Sequence, residues 1–271
     1  GMGIAGIMQM ILRHRKKLGD NSTKRLQEWM KNNPESSTEA RFHVLPDFYG
    51  SSFQTMRDFR QEEPFLSVAT ETMATGATLL KWDRLHILYH ALRSVRRLFP
   101  ETPIKVAEVG VYKGGTSFFL CRLLQEFLRP VEGFFSVDTF SGHHQDDVGE
   151  GGGDAAHRRG KFGDTNVAAV RRLLDDFEFA SVVDKRIQEA PEALSGDVHF
   201  LHLDVDLEGP TLWTLKEVVP RMPPGATIVI DDYNRVSCPG IMNAVSSFLE
   251  QHDRLCFSLP VPSAQLVIVR I

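Results

Sequence analysis

Four aspartates that follow two apolar runs are the residues best suited to do chemistry. Asp204 and Asp206 lie in LHLDVDLEGP, and Asp231 and Asp232 lie in ATIVIDDYN. Four carboxylates brought together repel one another and raise one another's pKa values unless a positive charge lies between them. Hard carboxylate oxygens on adjacent strand ends suit an octahedral cation such as Mg²⁺. The spacing therefore predicts a cation site.

Asp206 is expected to have a different task from its neighbour Asp204. Side chains of an extended segment repeat every second residue, so both carboxylates should face one pocket. A carboxylate that faces the pocket without binding the cation suits a general base. The alternative is that Asp206 caps the helix TLWTLKEVV that follows it. His143 and His144 are alternative bases, although a solvated histidine pair is the favoured interpretation.

The elements that must position these acids follow a regular alternation from Ile104 onward. Short β-branched runs separated by helical segments predict a parallel sheet covered on both faces. An amphipathic helix at 80–98 precedes them. The strands are expected at 104–109, 133–137, 181–187, 198–203, 226–230, 254–259 and 264–269. The last two are joined so tightly that one must run antiparallel. The predicted fold class is an α/β, doubly wound, mostly parallel seven-stranded sheet with an antiparallel C-terminal hairpin.

Ligands of such sheets bind outside the carboxyl ends of the strands. That rule gathers Glu108, Asp138, Asp204 and Asp231 at one edge of the sheet. Asp138 can accept two hydrogen bonds from a ribose diol there, and its alternative role is a helix cap or turn residue.

A glycine loop, AEVGVYKGGTS, follows the first predicted strand. It contains neither the GxGxxG of a dinucleotide fold nor the GK[ST] of a phosphate-binding loop. An acidic residue before the first glycine, with small residues opening the helix, suits a ligand that carries an amino group and hydroxyls. A structural turn without a ligand is the alternative.

Two motifs carry a family resemblance. EVGVYKGGTS followed by SVDTFSG resembles the cofactor half of class I S-adenosylmethionine-dependent methyltransferases, which have a Rossmann-like fold. HLDVDLEGPTLWTLKEVVPRMPPGATIVIDDY resembles the macrocin O-methyltransferase family, whose members methylate sugar hydroxyls of natural products with Mg²⁺. The resemblance covers residues 70–250.

The resemblance implies a role for individual residues. Asp204, Asp231 and Asp232 correspond to metal ligands, and Asp206 corresponds to the catalytic base. The residues that it implies for S-adenosylmethionine are Thr72, Met73, Glu108, Gly110, Tyr112, Gly115, Ser117, Asp138, Thr139 and Phe140.

The sequence departs from the family pattern in two places. Glu208 and Gly209 stand where the family has a tyrosine and an acid, which alters the substrate side of that loop. The segment at 143–165 contains the Gly-rich GEGGGDAAHRRGKFGD, which is either a lid over the ligands or a plain loop. Its basic residues are expected to form a solvated face: His157, Arg158, Arg159 and Lys161.

Composition limits the class of protein. A length of 271 residues fits a methyltransferase domain at 71–271 with a helical and loop extension at 1–70, which includes a short helix at Thr23–Lys31. A net charge of −4 argues against a nucleic-acid partner. Three widely spaced cysteines, no apolar run of about 18 residues, and an opening segment unlike a signal peptide favour a cytoplasmic protein without membrane contact. We expect a homodimer.

The sequence thus predicts a magnesium-dependent enzyme that transfers a methyl group from S-adenosylmethionine to a hydroxyl of a sugar or other natural-product acceptor. A catechol-type O-methyltransferase is the nearest alternative. A non-catalytic protein that keeps the fold, and a nicotinamide-dependent oxidoreductase, are the alternatives from other classes; the absent GxGxxG argues against the latter.

Overall fold

A computed structural model describes residues 62–148, 160, 162–235 and 237–271. The helix expected at Thr23–Lys31 and most of the expected 1–70 extension lie outside the described residues. The described part of that extension ends in helix α1, Phe65–Ala74, whose Phe65 ring packs edge-on against Phe119 of the main domain. The domain boundary at residue 70 stays a prediction.

Seven strands form one sheet in the order β3-β2-β1-β4-β5-β7-β6. Strands β1 to β5 are parallel, and β7 runs antiparallel to both β5 and β6. The strands are β1 Ile104–Val109, β2 Val131–Asp138, β3 Ala180–Asp184, β4 Val198–Leu203, β5 Thr227–Ile230, β6 Cys256–Val261 and β7 Gln265–Arg270. The predicted fold class is confirmed.

The third strand is shorter than the sequence indicates. SVVDKRI predicts a strand to residue 187, but β3 ends at Asp184 and the chain turns into a short 3₁₀ helix at Ile187–Glu189. Ile187 is buried in the hydrophobic core that also contains Ala107 and Leu201. Its apolar side chain packs there and does not extend the strand.

Helices cover both faces of the sheet. Alternate residues of the central strands face opposite sides, so Val106 and Phe200 belong to one core while Ala107 and Leu201 belong to the other. The remaining helices are α2 Trp82–Leu98, α3 Gly115–Phe127, α4 Val167–Leu174, α5 Glu208–Val218 and α6 Pro239–His252. Helices α1 to α4 pack on the first core, and α5 and α6 pack on the second.

The register of the sheet brings the functional strand ends level. Leu203 pairs with Ile230, so the residues that follow them, Asp204 and Asp231, leave the sheet side by side. The ladder continues beyond the strands, because Asp204 donates its N–H to the carbonyl of Val109 (2.8 Å) and Asp231 donates to Leu203 (2.9 Å). The positions of the acids are therefore fixed by backbone hydrogen bonds.

No helix in the described ranges is both long and apolar enough to cross a lipid bilayer.

Gly110 is required where the glycine loop crosses the end of β4. Its φ is +89°, and a Cβ there would lie 1.9 Å from the carbonyl oxygen of Asp204.

We expect Gly110→Ala to lower the free energy of unfolding, measured by chemical denaturation, by about 1–3 kcal/mol or more, because a strained backbone costs that much. Gly209→Ala is the matched control, because Gly209 lies in α5 with open space around it. That variant should be neutral or more stable by up to about 1 kcal/mol; equal losses in both variants would contradict the packing argument.

Candidate active site

A cavity of about 370 Å³ opens at the carboxyl edge of the sheet. It is lined by the loops that follow β1, β2, β4 and β5 and by the segment 77–84 that leads into α2. The sequence-predicted residues that line it are Glu108, Gly110, Tyr112, Asp138, Thr139, Asp204, Asp206 and Asp232. The topology thus brings both predicted halves, glycine loop and acids, to one cavity.

Six other predicted residues lie beside the cavity and not on its surface: Thr72, Met73, Gly115, Ser117, Phe140 and Asp231. Thr72 is buried and donates its hydroxyl to the carbonyl of Val68 at 2.9 Å. Met73 packs against the first core. Gly115 admits the backbone of residues 77 and 78, since a Cβ would lie 2.5 Å from the Thr78 nitrogen. Their roles towards a ligand stay predictions.

Asp138 holds the glycine loop in place. Its Oδ2 accepts hydrogen bonds from the N–H groups of Val111 (2.7 Å) and Tyr112 (2.9 Å), and its Oδ1 accepts from Phe140 (2.9 Å). An ionised carboxylate has about four acceptor sites, so these three bonds leave capacity for one more donor. Asp138 therefore acts as the predicted turn residue and still presents an acceptor to the cavity.

Strained backbone is concentrated at this edge of the sheet. One non-glycine residue with positive φ follows each of four parallel strands: Tyr112 (54°) after β1, Phe140 (48°) after β2, Asp206 (61°) after β4 and Asp232 (57°) after β5. Such conformations cost about 1–3 kcal/mol each and cluster at functional sites. This clustering indicates that the functional site lies at this edge of the sheet.

Arg84, on the first turn of α2, supplies positive charge to the acids. Its Nη1 lies 3.2 Å from Asp231 Oδ2, and its Nη2 lies 2.8 Å from Asp232 Oδ1. Burial lowers the pKa of Arg84, but the two carboxylates raise it more, so the guanidinium stays charged. Arg235 also reaches Asp232 Oδ1 at 3.2 Å from a largely exposed position.

A buried histidine supplies a second positive charge. His202 of β4 has its Nδ1 3.0 Å from Glu108 Oε1 and its Nε2 3.6 Å from Asp231 Oδ2. Burial lowers its pKa, but Asp231 and Glu108 together raise it well above the ordinary value. The other oxygen of Glu108 accepts from Ser117, whose hydroxyl also contacts that of Ser136. Glu108 and Ser117 thus belong to a polar network inside the sheet.

The two internal cations leave part of the acidic charge uncompensated. Burial and the nearby charges of Asp231 and Asp206 raise the pKa of Asp204 well above its ordinary value. Asp231 Oδ1 is buried and has no hydrogen-bond partner among the described residues. Carboxylate oxygens of Asp204 and Asp231 lie within 4.8 Å of each other, whereas the third predicted ligand, Asp232, falls in a separate group with Asp206 and Cys238. An oxygen without a partner beside a cluster of carboxylates fits a hard divalent cation.

Asp206 reaches the cavity by a different backbone route from the expected one. The extended-strand premise is wrong, because β4 ends at Leu203 and Asp206 has a φ of 61°. Its carboxyl nevertheless faces the acids: burial raises the pKa of Asp232, but the neighbouring Asp206 and Arg84 lower it by more. The capping alternative is also wrong: the N-cap of α5 is Leu207, and the described structure shows no side-chain cap there.

His143 corrects the expectation of a solvated histidine pair. Only 10% of its side chain is exposed, and its Nε2 lies 4.0 Å from Asp206 Oδ2. Its ring packs edge-on against Phe162, near the end of the Gly-rich segment. His144 agrees with the expectation, since 43% of its side chain is exposed.

The departures from the family motif lie outside the cavity. Glu208 accepts a hydrogen bond from Asn243 of α6 (3.2 Å), and Gly209 is exposed in the first turn of α5. Residues 149–159 and 161 of the expected lid, which include the basic residues His157, Arg158, Arg159 and Lys161, lie outside the described residues, and the lid stays a prediction.

Comparison with known proteins decides the family. The sequence model of the macrocin O-methyltransferase (TylF) family matches residues 23–255. The chain belongs to this family of S-adenosylmethionine-dependent O-methyltransferases. The predicted family is therefore confirmed.

Curated relatives of the macrocin O-methyltransferase family are distant in sequence. Demethyldecarbamoylnovobiocin O-methyltransferase of Streptomyces niveus is 25% identical over 73% of this chain and 77% of its own length. Mycinamicin III 3''-O-methyltransferase of Micromonospora griseorubida is 25% identical over 65% of this chain and 71% of its own. 8-Demethyl-8-(2,3-dimethoxy-alpha-L-rhamnosyl)-tetracenomycin-C 4'-O-methyltransferase of Streptomyces olivaceus is 24% identical over 59% of this chain, and the match spans 64% of that relative.

Solved structures share the fold of the macrocin O-methyltransferase family. The O-methyltransferase NovP superposes with a TM-score of 0.61 at 24% identity, over 72% of this chain and 82% of NovP. The calicheamicin methyltransferase CalS11 superposes with a TM-score of 0.56 at 17% identity, over 87% of this chain and 93% of CalS11. These similarities support the fold.

The Arg84 contacts predict a large effect on stability. Arg84→Gln leaves two buried carboxylates without their guanidinium, so we expect the free energy of unfolding to fall by about 3 kcal/mol. Chemical denaturation at neutral pH without divalent ions measures the loss. Arg235→Gln removes an exposed partner of Asp232 and is expected to cost no more than about 1 kcal/mol. Similar losses in the two variants would refute the assignment of Arg84 as the main counterion.

Proposed function

We propose that this chain transfers a methyl group from S-adenosylmethionine to a hydroxyl of a sugar or other natural-product acceptor, with Mg²⁺ bound at the acids. The observation that carries the proposal is the meeting of the glycine loop and the carboxylates in one cavity. A nicotinamide-dependent oxidoreductase does not agree with the family match.

The acceptor class is supported by the names of the curated relatives. One is named for an acceptor that bears a rhamnosyl group, and two others are named for methylation of novobiocin and mycinamicin compounds. We extend the class of sugar-bearing or other natural-product acceptors to this chain, and name no single acceptor compound or methylated hydroxyl. Nucleic acid is not an expected partner, and a homodimer in the cytoplasm stays a prediction.

The cofactor is proposed to lie against the glycine loop. Asp138 has acceptor capacity left after its three backbone bonds, which suits a ribose hydroxyl. Gly110 and Tyr112 line the same part of the cavity, and Thr139 follows Asp138. Glu108 has both oxygens engaged by His202 and Ser117, so its proposed role is to position the loop.

Asp204, Asp231 and Asp232 are the proposed Mg²⁺ ligands. The buried Asp231 Oδ1 without a partner and the raised pKa of Asp204 support a cation there. Arg84 contacts Asp231 Oδ2 and Asp232 Oδ1, so the ion would be held at Asp231 through its other oxygen, Oδ1. When bound, S-adenosylmethionine supplies the electrophilic methyl group and Mg²⁺ lowers the cost of deprotonating an acceptor hydroxyl.

Asp206 is the proposed general base. It lies in the cavity next to Asp232 and accepts the proton of the acceptor hydroxyl as the oxygen attacks the methyl group. His143, 4.0 Å away, is placed to orient this carboxylate. The buried thiol of Cys238 lies 3.7 Å from Asp206 Oδ1, and burial and Asp206 raise its pKa to about 12, so it remains a neutral neighbour.

An Asp206→Asn variant tests the base directly. We expect unchanged affinity for S-adenosylmethionine and Mg²⁺ in calorimetry, with the methyl-transfer rate lower by about 10²–10⁴-fold. The assay follows S-adenosylhomocysteine release with glycosylated acceptors, each paired with the same acceptor blocked at its hydroxyls. Glu208→Gln, a carboxyl change on the neighbouring turn outside the cavity, is the control and should keep its rate. A parent protein that binds the cofactor but methylates no acceptor would favour the non-catalytic alternative.

Magnesium affinity should depend on pH. The pKa of Asp204 is raised, so its carboxyl keeps a proton further up the pH scale and the ion must displace it. We therefore expect weaker binding at acidic pH and stronger binding as the pH rises and the carboxyl loses its proton. Calorimetry in two buffers of different ionisation enthalpy measures the released proton. A magnesium affinity that does not change with pH, with no proton released, would contradict a role for Asp204 as a ligand.

A further inference from the structure

A second cluster of ligand-type side chains lies outside the acidic site. His86 and His90 are four residues apart on α2, so both rings lie on one face of the helix. Glu62, just before α1, meets them: its Oε2 is 2.9 Å from the Nε2 of each histidine. The two Nε2 atoms are 3.1 Å apart. Three ligand atoms thus form a compact triangle.

When Glu62 is ionised, protons on the two imidazole nitrogens cannot satisfy all three contacts at once. If both Nε2 atoms carry hydrogen, two N–H groups crowd against each other at 3.1 Å. If one Nε2 is bare, its lone pair faces the carboxylate oxygen of Glu62 at 2.9 Å, where neither atom donates. A cation between the three atoms turns every lone pair towards a positive charge and removes the conflict.

The dimensions and the donor types suit a borderline transition-metal ion. Zn²⁺ binds histidine nitrogen and carboxylate oxygen at about 2.0–2.2 Å in tetrahedral geometry, which separates neighbouring ligand atoms by roughly 3.3 Å. The observed separations of 2.9 to 3.1 Å need only a small expansion. Two imidazoles disfavour Mg²⁺, which prefers oxygen ligands. The cluster therefore differs in chemistry from the acidic site.

The surroundings orient the carboxylate and leave the cluster accessible. Arg93 Nη1 lies 3.2 Å from Glu62 Oε1, so the other oxygen, Oε2, is the one presented to the histidines. The same guanidinium contacts the Tyr89 hydroxyl at 3.3 Å. The side chains of His86, His90 and Glu62 are 19%, 45% and 32% exposed, which permits entry of an ion from solvent.

We propose that Glu62, His86 and His90 form a Zn²⁺ site that joins the segment before α1 to helix α2. The three protein ligands leave a fourth position for water. The ion closes a loop between residues 24 positions apart, so its binding is expected to stabilise the native state. The site shares no residue with the proposed methyl-transfer machinery and is independent of that function.

Cobalt(II) is the probe for this site, because its visible absorption reports tetrahedral nitrogen and oxygen ligands. Metal-free full-length protein should develop the band up to an equimolar amount of cobalt, and Zn²⁺ but not Mg²⁺ should abolish it. His90→Ala and the nearly isosteric Glu62→Gln should lose the band while circular dichroism stays unchanged. Asp231→Asn, a variant of the acidic site, is the matched control and should keep it.

The result that overturns the proposal is equally specific. A folded parent protein without a band, or a band retained in both cluster variants and lost in Asp231→Asn, would show that this cluster binds no such ion. Because a ligand that binds the native state raises its stability, Zn²⁺ should raise the Tm of the parent and of Asp231→Asn but not of Glu62→Gln. Binding of cobalt without a Zn²⁺-dependent rise in Tm would refute the expected stabilisation.

Discussion

The repulsion among the carboxylates at the ends of β4 and β5 is the constraint on which the site depends. Strand register and backbone hydrogen bonds fix the acids side by side, so they cannot separate to relieve it. Relief comes from Arg84 on one side and His202 on the other, each in contact with Asp231. These cations are part of the fold itself, because Arg84 lies in the first turn of a helix and His202 lies near the end of a buried strand.

The same constraint shapes the loops around the acids. Gly110 must lack a side chain because the glycine loop crosses directly over the Asp204 carbonyl, and Asp138 then holds that loop through three N–H groups. The loops after β1 and β2 are therefore tied together by one carboxylate. Positive φ values at Tyr112, Asp206 and Asp232 are the local cost of this convergence.

The sequence predicted what local pattern controls. The alternation of strands and helices predicted the sheet. The positions of the strand ends predicted that Asp138, Asp204 and Asp232 lie at the cavity. His202 was missed although a signal exists: it stands two residues before Asp204, and side chains of a strand repeat every second residue. Arg84 had no such signal, because it meets Asp231 from 147 residues away in the chain.

The backbone conformation at strand ends could not be predicted from local sequence patterns either. Period-two reasoning assumed that the chain stays extended to Asp206, but β4 ends at Leu203. Asp tolerates the left-handed region better than most residues, so the letters DVD fit either geometry. Packing decided between them: Leu207 is buried and is the N-cap residue of α5, so the chain turns at Asp206.

The internal cations also explain how an acidic cluster can exist in the folded chain. Arg84 holds one oxygen each of Asp231 and Asp232, while Asp231 Oδ1 keeps no partner among the described residues. The guanidinium thus supports folding, and Asp231 Oδ1 keeps a buried lone pair that is available to the proposed cation. Because that oxygen is already desolvated, a divalent ion that reaches it loses only its own water in exchange for the contact. The contact with Arg84 and the proposed cation site therefore use different oxygens of the Asp231 carboxylate.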